Sequence, residues 1–243
     1  MTITTGRISI NGSAAPTGAV AWNASQYEAE VNTILTQIHE HAAGRAVIDA
    51  IAQPMVIVPW PRPDECNAAG GPTDWWASTP SGQPIMQCGG TAPGTPWQPH
   101  GVAVMGTGVG SAARVQFTPG MWGPSSVCAG GPGSLPDEIL LHEIVHGMRA
   151  TAGLLHCQPM GLHYDTEEEF VAVAITNVYM SERGATQLRA NHLGFEPLTN
   201  VDTFYGGVME QRQMIRRLFA QQPQLAHALS CVRASFNPFS EHR

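Results

Sequence analysis

The sequence predicts a single α+β domain, and three observations carry that prediction. Apolar residues recur at helical spacing near the N-terminus and through most of the second half. Short β-branched runs such as Met55-Val56-Ile57-Val58 lie between those stretches. No repeat and no linker divides the 243 residues, a length that one large core can organise.

Residues 1–23 are polar and Gly/Ala-rich and read as a loose lead-in to a domain over 24–243. Tyr27, Val31, Ile34, Leu35 and Ile38 then mark a helix. Gly44 is expected to break it, with a second short helix from Arg45 to Ala52. Met55 to Val58 is a strand stopped by Pro59. From Pro61 to Pro99 no periodicity survives. That stretch carries Trp75, Trp76 and Trp97 and is expected to be a long ordered loop with hairpins. Val102 to Met105 and Arg114 to Thr118 read as strands around a glycine-rich turn, Gly106 to Gly110. No Gly-Lys-Ser/Thr follows, so this is no phosphate-binding loop. Helices are expected over about 135–152, from about Thr166, on the Val208, Gln211, Ile215, Leu218 face, and from Leu225 to Val232.

The composition excludes several functions. With 19 acidic against 12 basic residues the net charge is −7, which disfavours nucleic acid or an anionic membrane as partner. No apolar run is long enough for a membrane span. The first residues, Met1 to Arg7, lack a basic segment followed by an apolar one, so no ordinary secretory signal is expected. Five cysteines occur without a C-x-x-C pair, so a cysteine zinc site is not expected. Cys66 and Cys88 flank the Gly/Pro/Trp-rich segment, and Cys128 and Cys157 flank the 135–152 helix. Each pair is a disulfide candidate, leaving Cys231 over, and buried free thiols are the alternative. A Cys66–Cys88 bridge would stabilise its loop by roughly 3 kcal/mol.

The chemistry concentrates in His142-Glu143-Ile144-Val145-His146. Two histidines four residues apart share one helix face and can grip one Zn²⁺ ion from the same side. The glutamate between them reaches a water on that ion, as a general base for hydrolysis requires. Ser134 and Asp137 suit a capping box, and Leu140, Leu141, Ile144, Val145 and Met148 give a broad apolar stripe. Gly153 suits the helix end. The third ligand must come from elsewhere. The metzincin pattern needs Gly and His where this chain has Arg149 and Ala152, so that class is excluded. Glu168 and Glu169, opening the next helix, are the main candidates, and His156 and His163 the weaker ones. Capping leaves the choice open. With Thr166 as N-cap, Glu169 would bend back and leave Glu168 for the metal. With Asp165 as N-cap the roles reverse.

These pieces, in this order, resemble the zinc-metalloprotease effector toxins of bacteria, the NleD-like peptidases. The resemblance covers roughly residues 27–196 and rests on Leu140 to His146 and Glu168-Glu169-Phe170-Val171-Ala172. Asn177 to Gly184 and Leu188 to Phe195 add to it, and the 61–99 insert departs from it. It implies a zincin-like fold of the gluzincin type, with a small sheet and long Gly/Pro-rich loops. It implies a zinc endopeptidase with a protein or peptide substrate. It also implies a protein made in the bacterial cytoplasm and delivered to a target cell or its periplasm, with a secretion-system carrier and an immunity protein as partners. In related toxin zincins the ligand glutamate directly precedes an aromatic residue and has alanine three positions after it, which favours Glu169. Tyr164 and His163 are the nearest candidates to stabilise an oxyanion. A zinc amidase acting on cell wall and a non-catalytic zinc-binding module are the alternatives.

Overall fold

The computed structural model describes residues 6–14, 23–62, 65–89, 93–124, 126, 128, 130–160, 163–200, 204 and 209–242. The chain is mixed α+β, with a small four-stranded sheet and seven helices among the described residues. The elements are β1 (Ile8–Ile10), α1 (Ala24–Glu40), α2 (Ala42–Asp49), β2 (Met55–Val58), β3 (Ala69–Pro72), α3 (Trp75–Ser78), β4 (Ala113–Gln116), α4 (Pro136–Thr151), α5 (Glu167–Glu182), α6 (Met209–Gln221) and α7 (Pro223–Ser230). The sheet order is β1-β2-β4-β3. β1, β2 and β4 are parallel, and β3 runs antiparallel on the outer edge.

β1 corrects the reading of residues 1–23 as a loose lead-in. Ile8 is buried and pairs with Met55. Three residues between polar neighbours are too short for alternation to register. Residues 1–5 and 15–22 lie outside the described residues, as does Val208 on the expected C-terminal helix face.

α1 buries Tyr27, Val31, Leu35 and Ile38, and the Tyr27 hydroxyl donates to the Phe117 carbonyl at 2.9 Å. The break falls at His41 rather than Gly44. Glu182, at the end of α5, accepts the Ala42 and Ala43 N–H groups at 2.8 and 2.9 Å and so starts α2 from outside. Gly44 is needed for close approach: a Cβ there would stand 2.0 Å from the Ile38 carbonyl oxygen.

α4 lies between the sheet and α5, and every residue from Asp137 to Thr151 is buried. Leu140, Leu141, Ile144, Val145 and Met148 have no exposure at all, each worth about 1.5–3 kcal/mol of burial. Its N-cap is Leu135, not Ser134. Glu138 rather than Asp137 closes the first turn, accepting the Leu135 N–H at 3.1 Å. Pro136 fixes this register, because it suits the first helical position. Asp137 instead accepts the Tyr179 hydroxyl at 2.7 Å and pairs with Arg183. Gly153 ends the helix at φ +72°.

The expected hairpin around Gly106–Gly110 does not form. β4 pairs with β2 and β3, while Met105 only bridges to Pro84. The glycines instead let this stretch pass tightly over the end of α3 and of α4. A Cβ on Gly106 would meet the Thr79 carbonyl oxygen at 2.3 Å, and one on Gly110 the Thr151 carbonyl oxygen at 2.1 Å.

The disulfides also differ from expectation. Cys66 pairs with Cys128 and Cys88 with Cys157, with Cα–Cα separations of 5.3 and 5.0 Å, and Cys231 is free and exposed. Pairing Cys66 with Cys88 assumed that the insert closes on itself. It lies across the molecule instead, and each cysteine reaches one on the body. The closed loops, 62 and 69 residues in separation, are each worth about 4 kcal/mol in the chain-entropy picture.

Candidate metal centre

α4 presents His142 and His146 from successive turns, and the first turn of α5 presents Glu169 opposite them. Glu169 Oε2 lies 3.0 Å from His142 Nε2 and 3.2 Å from His146 Nε2, and the two Nε2 atoms are 3.1 Å apart. A residue that sequence reasoning did not assign completes the cluster. His192 Nε2 is 3.2 Å from Glu169 Oε2, and its ring stacks parallel on that of His142 at 5.7 Å between centroids. His142, Glu169 and His192 form a buried to half-buried group that could hold a metal ion. His192 sits in a loop beyond α5, where no periodicity or spacing links it to the HExxH turn. Its trace in the sequence is its place in the Leu188 to Phe195 stretch.

The donor set fits zinc. Ligand atoms on a tetrahedral ion at about 2.0–2.1 Å stand about 3.3–3.4 Å from one another, close to the spacings seen. Of the three imidazoles, His192 has a carboxylate within hydrogen-bond reach, as metal-binding histidines commonly do. His192 Nδ1 meets Asp165 Oδ2 at 2.7 Å, and His146 Nδ1 faces Glu168 Oε1 at 3.8 Å. His142 Nδ1 is buried with no hydrogen-bond partner among the described residues.

The two glutamates divide the work. Glu168 is held chiefly by Arg149. Arg149 Nε donates to both its oxygens at 2.7 and 2.9 Å, and the His156 N–H adds a bond at 3.2 Å. Arg149 stands where a metzincin would have glycine, and here it anchors α5 to α4. Thr166 is the N-cap of α5, with its hydroxyl oxygen accepting the Glu169 N–H at 3.4 Å. The reciprocal half of the capping box is absent, because the Glu169 carboxylate turns to the histidines. The two capping registers weighed from the sequence were therefore too rigid: Thr166 caps the helix and Glu169 still faces the cluster.

Charge follows burial. Burial drives the His142 pKa down to about 3, so this ring stays neutral. Burial opposes a charge on His146 too, but the Glu169 and Glu168 carboxylates outweigh it and raise its pKa well above the usual value. Burial works against the Glu169 charge, yet His146, His142 and His192 hold its carboxyl well below the usual range.

Glu143 stands apart from the cluster. Its Oε2 accepts the Gly70 N–H of β3 at 2.6 Å. Burial raises its pKa, the direction a general base needs. Gly70 allows this contact, since a Cβ there would lie 2.0 Å from the Glu143 carbonyl oxygen. Two cavities open beside Glu143 and His192. One, of about 610 Å³, reaches from β3 past Trp75 to Leu155; the other, of about 190 Å³, lies between Trp122, Ile139 and Phe195. Asn67, Ala68 and Leu193 border both.

The remaining candidates fall elsewhere. Tyr164 lines neither cavity. It is 3% exposed and packs edge-on against Phe170 at 5.1 Å, and burial raises its hydroxyl pKa. An apolar neighbour claims the ring, so the expectation that it faces a cleft is corrected. His163 is exposed and contributes its carbonyl, which accepts the His192 N–H at 2.8 Å. His156 pairs with Glu167 at 3.1 Å. Cys66 and Cys88 border the cavities as disulfides.

No protein-family model, curated protein or solved structure matches the chain.

Proposed function

We propose that the protein is a zinc-dependent endopeptidase acting as a delivered effector toxin, with His142, His146 and Glu169 as ligands. The observation that carries this reading is Glu143: a carboxylate held by a backbone N–H, beside a metal-binding cluster and facing a cleft, without being part of the cluster. A structural zinc site has no use for such a group. When bound, zinc supplies Lewis acidity and makes a nearby water more acidic.

The chain's own residues do the rest. Gly70 fixes Glu143 Oε2, which leaves Oε1 to accept a proton from the attacking water. Glu143 then returns that proton to the leaving amine. His192 has Nδ1 on Asp165 and Nε2 beside Glu169 in the cleft, and with both ring nitrogens protonated it would donate from Nε2 to the developing oxyanion. β3 is an edge strand whose residues line the larger cavity, so an extended peptide can lie along it. This favours a peptide over a compact cell-wall substrate. The two disulfides suit a destination outside a reducing cytosol. Glu143→Gln should retain about one zinc per chain and lose at least about 10²-fold in peptide hydrolysis. Full activity in that variant would end the reading.

A second reading rests on His192. Four donors instead of three would close the site, and the chain would be a zinc-binding module without turnover. The 3.2 Å approach of His192 Nε2 to Glu169 favours it. Glu143 disfavours it.

A further inference from the structure

Arg149 and Arg189 are both almost fully buried, at 4% and 3% exposure, but their charges are met in different ways. Arg149 pairs with the Glu168 carboxylate. Arg189 forms no ion pair among the described residues, and carbonyl oxygens hold its guanidinium instead. Nε donates to the Asn191 carbonyl at 2.7 Å and Nη2 to the His192 carbonyl, while the Phe195 ring lies 4.1 Å from Cζ. The backbone is fixed as well. Asn177 of α5 accepts the Arg189 N–H at 2.9 Å and donates to its carbonyl at 2.8 Å. Carbonyl dipoles and a ring face orient a guanidinium without cancelling its charge. Burial lowers its pKa only to about 10, with Glu169 and Glu143 acting against that, so Arg189 is a cation at neutral pH.

This cation borders the cavity of about 190 Å³, walled also by Trp122, Ile139, Leu193 and Phe195. That volume suits one side chain. The apolar walls fit a methylene stem, and a preorganised guanidinium fits a carboxylate at its end. Glu143 borders the same cavity, but its Oε2 is held by the Gly70 N–H. Asn67 and Ala68 border both cavities. A peptide laid along β3 therefore crosses Glu143 and offers the smaller cavity the side chain of a residue flanking the cut bond.

We propose that Arg189 is the specificity-determining residue of the smaller cavity, which takes an acidic side chain, aspartate or glutamate, next to the scissile bond. This rests on the peptidase reading and names its substrate class. The contrast with Arg149 carries it: one buried arginine has its carboxylate within the chain, and the other lines a cleft where the substrate supplies one.

The test uses the full, zinc-loaded chain and peptides with amidated C-termini, in which Glu replaces Gln at each position around the cut. At one position Glu should raise kcat/KM about tenfold or more over Gln. In Arg189→Gln that ratio should fall to near one. A merely structural role would slow both peptides alike and keep the ratio, which would overturn the proposal, as would a ratio near one in the wild type. A gain found only with free C-termini would put the carboxylate at the chain end and overturn the side-chain assignment. Should Arg189→Gln fail to fold, Arg189→Lys keeps the charge without the planar fork. Its ratio should fall severalfold, and an unchanged ratio would count against the pocket. If no peptide is cut, the peptidase reading falls. Calorimetric binding of the same Glu and Gln peptides then decides the pocket, with tighter Glu binding supporting it and equal affinities overturning it.

Discussion

The two walls of the cleft are built on opposite principles. One is the α4–α5 pair, buried along almost its whole length and locked by Arg149–Glu168 at one end and Asp137–Arg183 at the other. The other is the 61–112 segment, with a four-residue edge strand, exposed Trp76, Trp97, Val102 and Val109, and two covalent staples. The helical wall fixes donor atoms to within a hydrogen-bond length. The inserted wall shapes the space around them and positions Glu143 through the Gly70 N–H. A site can thus divide precision and shape between a packed core and a stapled loop.

Breaking the helical wall should have the largest effect. Glu169→Ala removes a donor from the cluster, and zinc affinity should fall by at least about 10²-fold, measured by competition with a chelating dye. Its neighbour sharpens the comparison. Glu168→Ala leaves the Arg149 charge buried without its partner, and should cost about 3–5 kcal/mol in denaturant unfolding. Zinc binding in that variant should weaken only about 10-fold, through lost support of His146. If Glu168→Ala abolishes zinc binding while Glu169→Ala retains it, the division between the two glutamates is wrong.

The inserted wall should respond differently. In Gly70→Ala the new methyl must push β3 off α4, because the space is filled by the Glu143 backbone. Hydrolysis should drop about 10-fold or more while zinc content stays near one per chain. Loss of zinc in Gly70→Ala would mean that the two walls are not separable.

The same contrast decided what could be read in advance. α4 was legible because its apolar stripe, its proline and its two histidines are all local signals. The tie between β3 and Glu143 was not, because Ala-Gly-Gly-Pro has neither period nor propensity, and its partner lies across the sheet. β1 was missed for its brevity. The glutamates were read as mutually exclusive by capping logic, yet Thr166 caps α5 and Glu169 still faces the cluster. His192 and the disulfide pairing depend on how the chain returns over α4, and no spacing rule carries that. Tyr164 was placed near the chemistry by proximity in sequence, and Phe170 took it into the core.

The central claim is that the site keeps a position open for water beside Glu143. X-ray absorption at the zinc edge of the fully loaded, oxidised chain measures this directly. The account predicts two imidazoles and two oxygen donors, with His192→Ala leaving that shell unchanged. Three imidazoles in the wild type, falling to two in His192→Ala, would contradict it and make the site a closed one.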